Sequence, residues 1–328
     1  MAIDPGLAND SCIFIEAVSG DGGTHNANSI WWLSHDINLV GPVSGPDSAD
    51  AGQINPVVVS FHRKPASSNC VFPGDESLTV ELWVANPSLV ISPRVHLGAK
   101  RVGFIGALLP AEGDSGTQQI DWDVPANASP GDPQSAGHKC LVARAYPSSG
   151  APATNNFFLP GDQHVAQHNL CIVRATTNVL TFTANTANPQ APHPPTINPT
   201  PNAKLRAVQD VRPNTFVRNT ITSRLASLAG FQQLRTKTLP GGFKFDLTNL
   251  HASGIVDHSH PTIISPFPPH ILPSFEAKVF LDPRHVTPIT FLADLTGVAR
   301  GEACIFHLIQ TSLTDVVEGG LTLVALKD

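Results

Sequence analysis

Apolar side chains recur at every second position along much of this chain. Leu78, Val80, Leu82 and Val84 alternate with polar residues in SLTVELWV, which puts four apolar side chains on one sheet face. Trp83 lies on the opposite face and predicts that this face is partly covered too. Similar runs predict strands at Ser29–Val40, Val57–Phe61, Arg101–Leu109, Gln118–Val124, Lys139–Tyr146 and Asn169–Arg174. The last two read as the closing strands of a first unit. A second series follows at Val179–Thr183, Gly242–Leu247, Phe275–Leu281, Pro288–Leu295, Ala303–Gln310 and Gly320–Leu326, the final two forming a hairpin. Gly-, Pro- and Asp-rich turns such as Gly41–Gly52 and Ala126–Gly137 separate the runs. Ile221, Leu225 and Leu228, followed by Gly230, predict one helix over Thr220–Gly230.

The pattern predicts two stacked-sheet units, residues 1–174 and 175–328. Composition supports it: of 328 residues, 30 are Pro, 25 are Gly and only 14% are charged, too few for long solvated helices. The net charge of −6 and the scattered Lys and Arg argue against a nucleic-acid partner. No apolar stretch reaches the length of a membrane-spanning helix. Met1–Asn9 shows no signal-peptide pattern, which leaves the compartment open. Pro192, Pro194, Pro195, Pro199 and Pro201 mark an extended loop within the second unit. Cys12, Cys70, Cys140, Cys171 and Cys304 include no C-x-x-C pair; bridges in an oxidising compartment and buried thiols in a reducing one both fit them.

Over residues 29–173 the chain resembles a bacterial immunoglobulin-like accessory domain of the adhesion type. The residues that carry the likeness are W-L-S-H-D-I (Trp32 to Ile37), Val80–Trp83, W-D-V-P (Trp122 to Pro125), H-K-C-L-V-A-R (His138 to Arg144) and Asn169 in Q-H-N-L. Related modules often carry S-P-D-I where this chain has His35. The second half resembles such sandwiches through its final hairpin alone. The resemblance implies an all-β fold of two immunoglobulin-like antiparallel β-sandwiches with at most one short helix. It also implies binding, spacing or assembly at a cell surface or outside the cell.

Candidate chemistry is sparse. Gly113-Asp114-Ser115-Gly116 spells the segment around a trypsin-like nucleophile, but Thr117 replaces the next glycine and no T-A-A-H-C-like segment supplies a base, so it reads as a turn. His258 and His260 would share one strand face; with His251 and Asp257 they form a candidate metal set, in a Pro-rich stretch that reads more simply as a solvated loop. His164 and His168 have i, i+4 spacing, but the strand that follows would keep them apart. Asp21 among Gly20, Gly22 and Gly23 reads as a turn rather than a calcium loop. Trp31 and Trp32 are adjacent, so on a strand one joins the core. The other is exposed as a contact for protein or glycan, or is covered by the chain's own N-terminal segment.

Together these features predict a non-enzymatic structural or binding protein without a cofactor. Its expected partner is a second copy, in an oligomer or fibre, or another protein. A carbohydrate- or surface-binding module and a metal-dependent hydrolase using His251, His258 and His260 are the alternatives.

Overall fold

The computed structural model describes residues 12–25, 30–41, 47–66, 68, 77–91, 98–150, 152, 161–188, 200–226, 228, 233–239, 242–258, 271–282 and 285–328. Those residues form twenty strands and one helix, an all-β fold of stacked sheets. The chain divides into two compact units, Met1–Asn86 with Ser92–His168, and Pro87–Ile91 with Asn169–Asp328.

The first unit holds β1 (Ile13–Phe14), β2 (Ile37–Leu39), β3 (Ser48–Ala49), β4 (Ile54–Arg63), β5 (Ser77–Ala85), β6 (Lys100–Leu108), β7 (Ser115–Asp123), β8 (Gly137–His138), β9 (Cys140–Pro147) and β10 (Val165–His168). One sheet is centred on β4, with β7 along one edge and β1 and β2 sharing the other. The second sheet runs β10-β9-β5-β6, and all its pairs are antiparallel. Val57, Val59 and Phe61 of β4 and Leu78, Val80, Leu82 and Val84 of β5 belong to one buried core, together with Ile120, Trp122, Leu141 and Ala143. Burying each large aliphatic side chain contributes about 1.5–3 kcal/mol. Gly103 of β6 makes a close approach possible, because a Cβ there would stand 2.4 Å from the Ile120 Cγ2 of β7.

The second unit holds β11 (Leu170–Ala175), β12 (Val179–Thr186), β13 (Ala203–Asp210), α1 (Thr215–Leu225), β14 (Arg235–Thr236), β15 (Phe243–Asp246), β16 (Ala252–His258), β17 (Ile271–Val279), β18 (Thr287–Asp294), β19 (Glu302–Ser312) and β20 (Val317–Lys327). Its large sheet runs β11-β20-β19-β13-β17-β16, with β14 also on β19, and its small sheet runs β12-β18-β15. Phe243, Phe245 and Phe291 of the small sheet meet Phe275 and Phe306 of the large one, with ring centroids 4.9–5.9 Å apart. Such edge-on and tilted pairs add to the area they bury.

Several expectations are corrected. Trp31 and Trp32 lie in a turn, so Ser29–Val40 contributes only β2 as a strand among its described residues. Asn169–Arg174 does not close the first unit: β11 pairs in parallel with β20, Leu170 opposite Thr322. Alternation identifies a face, not a neighbour, and Leu170, Cys171 and Ile172 are buried on both faces. The helix begins five residues earlier than expected, because Asn214 caps it by accepting a bond from the Val217 N–H at 2.9 Å. The Pro-rich segment lies largely outside the described residues.

Candidate functional site

The outward side of the β10-β9-β5-β6 sheet gathers the polar chemistry of the first unit. Strand alternation sends Leu78, Val80 and Leu82 into the core, so Glu81 and Trp83 point outward; Arg144 and Tyr146 of β9 and Arg101 and Phe104 of β6 join them. Glu81 is 2% exposed, and its Oε2 accepts bonds from Arg144 Nε at 2.9 Å and Nη2 at 2.6 Å. Its Oε1 accepts from Arg101 Nη1 at 2.8 Å and from the Tyr146 hydroxyl at 3.1 Å. Burial pushes the Glu81 carboxyl up, but the Arg144 charge and the bonds from Arg144, Arg101 and Tyr146 outweigh it and hold the group below its ordinary value. Burial first, then the Glu81 charge, pushes the Tyr146 phenol up to about 12. The carboxylate is therefore fully paired and serves as a fixed anchor.

That anchor holds Arg101 in place. Its guanidinium lies 5.8 Å from the Trp83 ring centroid and 5.3 Å from that of Phe104. Beyond it, Phe104 is 67% exposed and Leu108 84% exposed. Register puts both on the outward face, Phe104 opposite Glu81 and Leu108 opposite Ser77, with Gly106 between them opposite Thr79. A Cβ built on Gly106 has only the Leu78 carbonyl oxygen within reach, at 4.0 Å, so the space above it is open. The strip is an aromatic and a leucine flanking a hollow, on the last strand of its sheet, with an arginine beside it. Aromatic and Arg anchors of this kind carry much of the energy in protein interfaces.

Among the described residues, four His–Asp contacts stand out beside the Glu81 cluster. Three are sealed: His164 Nδ1 to Asp162 Oδ1 at 2.8 Å, His168 Nε2 to Asp47 Oδ1 at 3.4 Å, and His307 Nε2 to Asp210 Oδ2 at 3.3 Å. His307 also meets Thr322 Oγ1 at 3.0 Å, which sets hydroxyl, imidazole and carboxylate in the order of an acyl-transfer triad. Thr322 and His307 are 0% exposed and Asp210 2%, so no substrate reaches them and the trio acts as a buried network. The fourth pair, His62 Nε2 to Asp36 Oδ2 at 2.8 Å, is partly open, with His35 and Glu16 close by and the His62 ring stacked on Phe14. The Asp36 hydrogen bond raises the His62 pKa against the pull of burial. Ser115 of the G-D-S-G turn is the ladder partner of His62, but no hydrogen bond joins the two side chains and Ser115 simply opens β7.

No family model matches the chain, and no curated protein matches it. Among solved structures it is similar to the collagen adhesin of S. aureus, at 8% identity over 85% of this chain and 92% of that one, with a TM-score of 0.21. It is also similar to the CupB6 tip adhesin from Pseudomonas aeruginosa, at 10% identity over 89% and 95%, with a TM-score of 0.17. Superpositions this loose set neither fold nor function; the chain's own sheets set the fold.

The residues singled out from the sequence fall elsewhere. Trp31 is 1% exposed and Trp32 0%, their rings edge-to-face at 5.7 Å, so neither indole offers a contact surface. Adjacent residues in a turn need not point to opposite sides, and here both turn inward. His251 is exposed just before β16, where the Asp257 and His258 backbones pair with Phe275 and Ser274. The side chains of Asp257 and His258, and all of His260, lie outside the described residues. Among the described residues no group of three or more His, Cys, Asp or Glu could hold a metal ion. Asp21 accepts backbone bonds from Ala17, Val18 and Gly23, which closes its loop as a turn. Phe104, Leu108 and Arg101 lie inside RVGFIGALL, a strand run whose apolar letters do not mark which face is covered.

Proposed function

We propose that this chain is a non-enzymatic binding protein whose contact face is the outward side of β6 in the first unit. One observation carries the proposal: Phe104 and Leu108, 67% and 84% exposed, stand on one face of a terminal strand beside the anchored Arg101. Large apolar side chains grouped at a sheet edge cost solubility and invite pairing unless a partner covers them. The rest of the face is suited to specificity, because Arg101 is locked by a buried carboxylate and loses little freedom on contact. Cys12 is disulfide-bonded, which supports maturation in an oxidising compartment.

The test is site-specific photocrosslinking in the cell that makes the protein. A photoreactive residue at Leu108 is expected to give a discrete protein adduct, and one at Val179, 64% exposed in the second unit, to give none. Equal labelling from both sites, or no adduct from Leu108, removes this face as the contact.

A further inference from the structure

Two histidines and three carboxylates meet where the start of the chain lies on β4. Glu16 and Asp21 follow β1, His35 and Asp36 lead into β2, and His62 belongs to β4. His62 Nε2 donates to Asp36 Oδ2 at 2.8 Å, and the same oxygen accepts the Glu16 N–H at 2.8 Å. His35 Nε2 stands 3.5 Å from Asp36 Oδ1 and 3.7 Å from Glu16 Oε2. The cations next to His62 are engaged elsewhere: Arg63 bonds Glu112 and the Pro110 carbonyl, and Lys64 bonds Gln163. On β7 the ladder partner of His62 is the uncharged Ser115, and Asp114 before it accepts the Arg63 N–H at its backbone carbonyl. The positive charge set among Asp36 and Glu16 is therefore histidine charge.

Residues 16–24 are held over this cluster by polar contacts. Ile13 and Ile15, both 0% exposed, anchor the chain before them, but within them Ala17 alone is a buried apolar residue. The Glu16 N–H rests on Asp36, the Ser34 hydroxyl donates to the Glu16 carbonyl, and His25 just beyond meets the Ile15 carbonyl. Gly23 folds back on Phe14, where a Cβ would stand 2.6 Å from the Phe14 Cβ, and the Phe14 ring stacks on His62 with centroids 5.1 Å apart. We propose that residues 16–24 form a proton-latched flap, closed on Phe14 while His62, seconded by His35, is charged among the Asp36, Glu16 and Asp21 carboxylates, and loosened when that charge is lost. Protonated, His62 makes a charge-assisted bond to Asp36 and sets a cation against the Phe14 ring. Neutral, it leaves carboxylates of the flap and of the sheet repelling one another at the flap's base. The Asp36 bond first, then the Asp36, Glu16 and Asp21 charges, raises the His62 pKa above 6.5 against the pull of burial. The latch is therefore complete below 6.5 and is lost as pH rises through the raised value.

Amide hydrogen exchange of the full chain tests this, read as protection factors at about pH 5.5 and about pH 8.5. Protection of the Glu16 amide is expected to fall by about threefold or more between them. The Ile15 amide, bonded to the Gln163 carbonyl, should keep its protection. His62→Gln, neutral at both values, should show the weaker protection at both, and His62→Lys, charged at both, the stronger. The midpoint of the native fall should coincide with the titration of the His62 ring, which keeps the test decisive where a variant does not fold. Glu16 protection that ignores pH overturns the inference, as does a pH response that survives in His62→Gln or a midpoint away from the His62 titration. An equal fall at Ile15 also overturns it, because the whole unit and not a flap would then be opening.

Discussion

Glu81 shows how one residue can hold a face in place without taking part in contact. Its carboxylate is shared by Arg144, Arg101 and Tyr146, so Glu81→Gln strands the Arg144 guanidinium, which is 1% exposed. Breaking a buried pair from one side costs about 3–5 kcal/mol. A denaturant midpoint unchanged by Glu81→Gln would mean that the pair contributes nothing. The folded carboxyl titrates below its ordinary 4.5, so its stabilisation is complete above that pH and is lost as pH falls through the lowered value. Glu81→Gln should therefore flatten the acid side of the stability curve. His62 works in the opposite sense. Its pKa is raised above 6.5 by Asp36, with smaller contributions from Glu16 and Asp21, so its stabilisation is complete below 6.5 and disappears as pH rises through the raised value. NMR titration of the His62 ring should give a pKa above 6.5 that returns towards it in Asp36→Asn; an unmoved titration would remove the pairing as its cause.

At the scale of elements, what the two-residue period could reveal depended on whether each strand has one buried face or two. β5 was legible because its outward Thr79 and Glu81 are a polar contrast to Leu78, Val80 and Leu82. β13 was not. All eight of its residues are buried, and Lys204 and Arg206 occupy one face because Asp315 and Glu276 neutralise them at 2.5–2.8 Å. A central strand with paired charges under cover looks like a loop to hydropathy. The candidate face failed for the converse reason: in RVGFIGALL both faces are apolar, and nothing in the letters says that Phe104 and Leu108 stay uncovered while Ile105 and Ala107 turn to the core. Register with β5 decides it. The helix was found but misplaced, because its buried stripe of Val217, Ile221 and Leu225 was extended forward to Leu228 rather than back to its cap. That cap is testable: Asn214→Ala should cost about 1 kcal/mol in thermal unfolding. A null effect would show that the cap contributes nothing to folding.

At the scale of the whole molecule, the chain does not divide at one point. Pro87–Ile91 leaves the end of β5 to join the second unit, then returns to the first. Within the second unit Ser88 bridges to Asn185 in parallel, the Leu89 N–H donates to the Asn185 carbonyl at 2.8 Å, and Asn169 Nδ2 donates to the Ser88 and Gly320 carbonyls at 2.7 and 2.6 Å. Gly319 gives the segment room, since a Cβ there would sit 1.9 Å from the Leu89 carbonyl oxygen. Gly319→Ala should therefore destabilise the second unit by about 1–3 kcal/mol, a cost set by displaced backbone rather than a yielding side chain. The same geometry bears on fragments. A chain of residues 169–328 lacks the segment that bonds Asn185 and Asn169, and it uncovers the Gly319 position against which the Leu89 and Val90 backbone lies. It should melt at lower temperature and less cooperatively than the same unit in the full protein. Added in trans, a synthetic peptide spanning Asn86–Ile91 should raise that melting temperature in proportion to the logarithm of its concentration above Kd, because it binds the folded form alone. A scrambled peptide should do nothing. If 169–328 melts as sharply and as high alone as in the full chain, the inserted segment is a surface ornament and the second unit is complete without it.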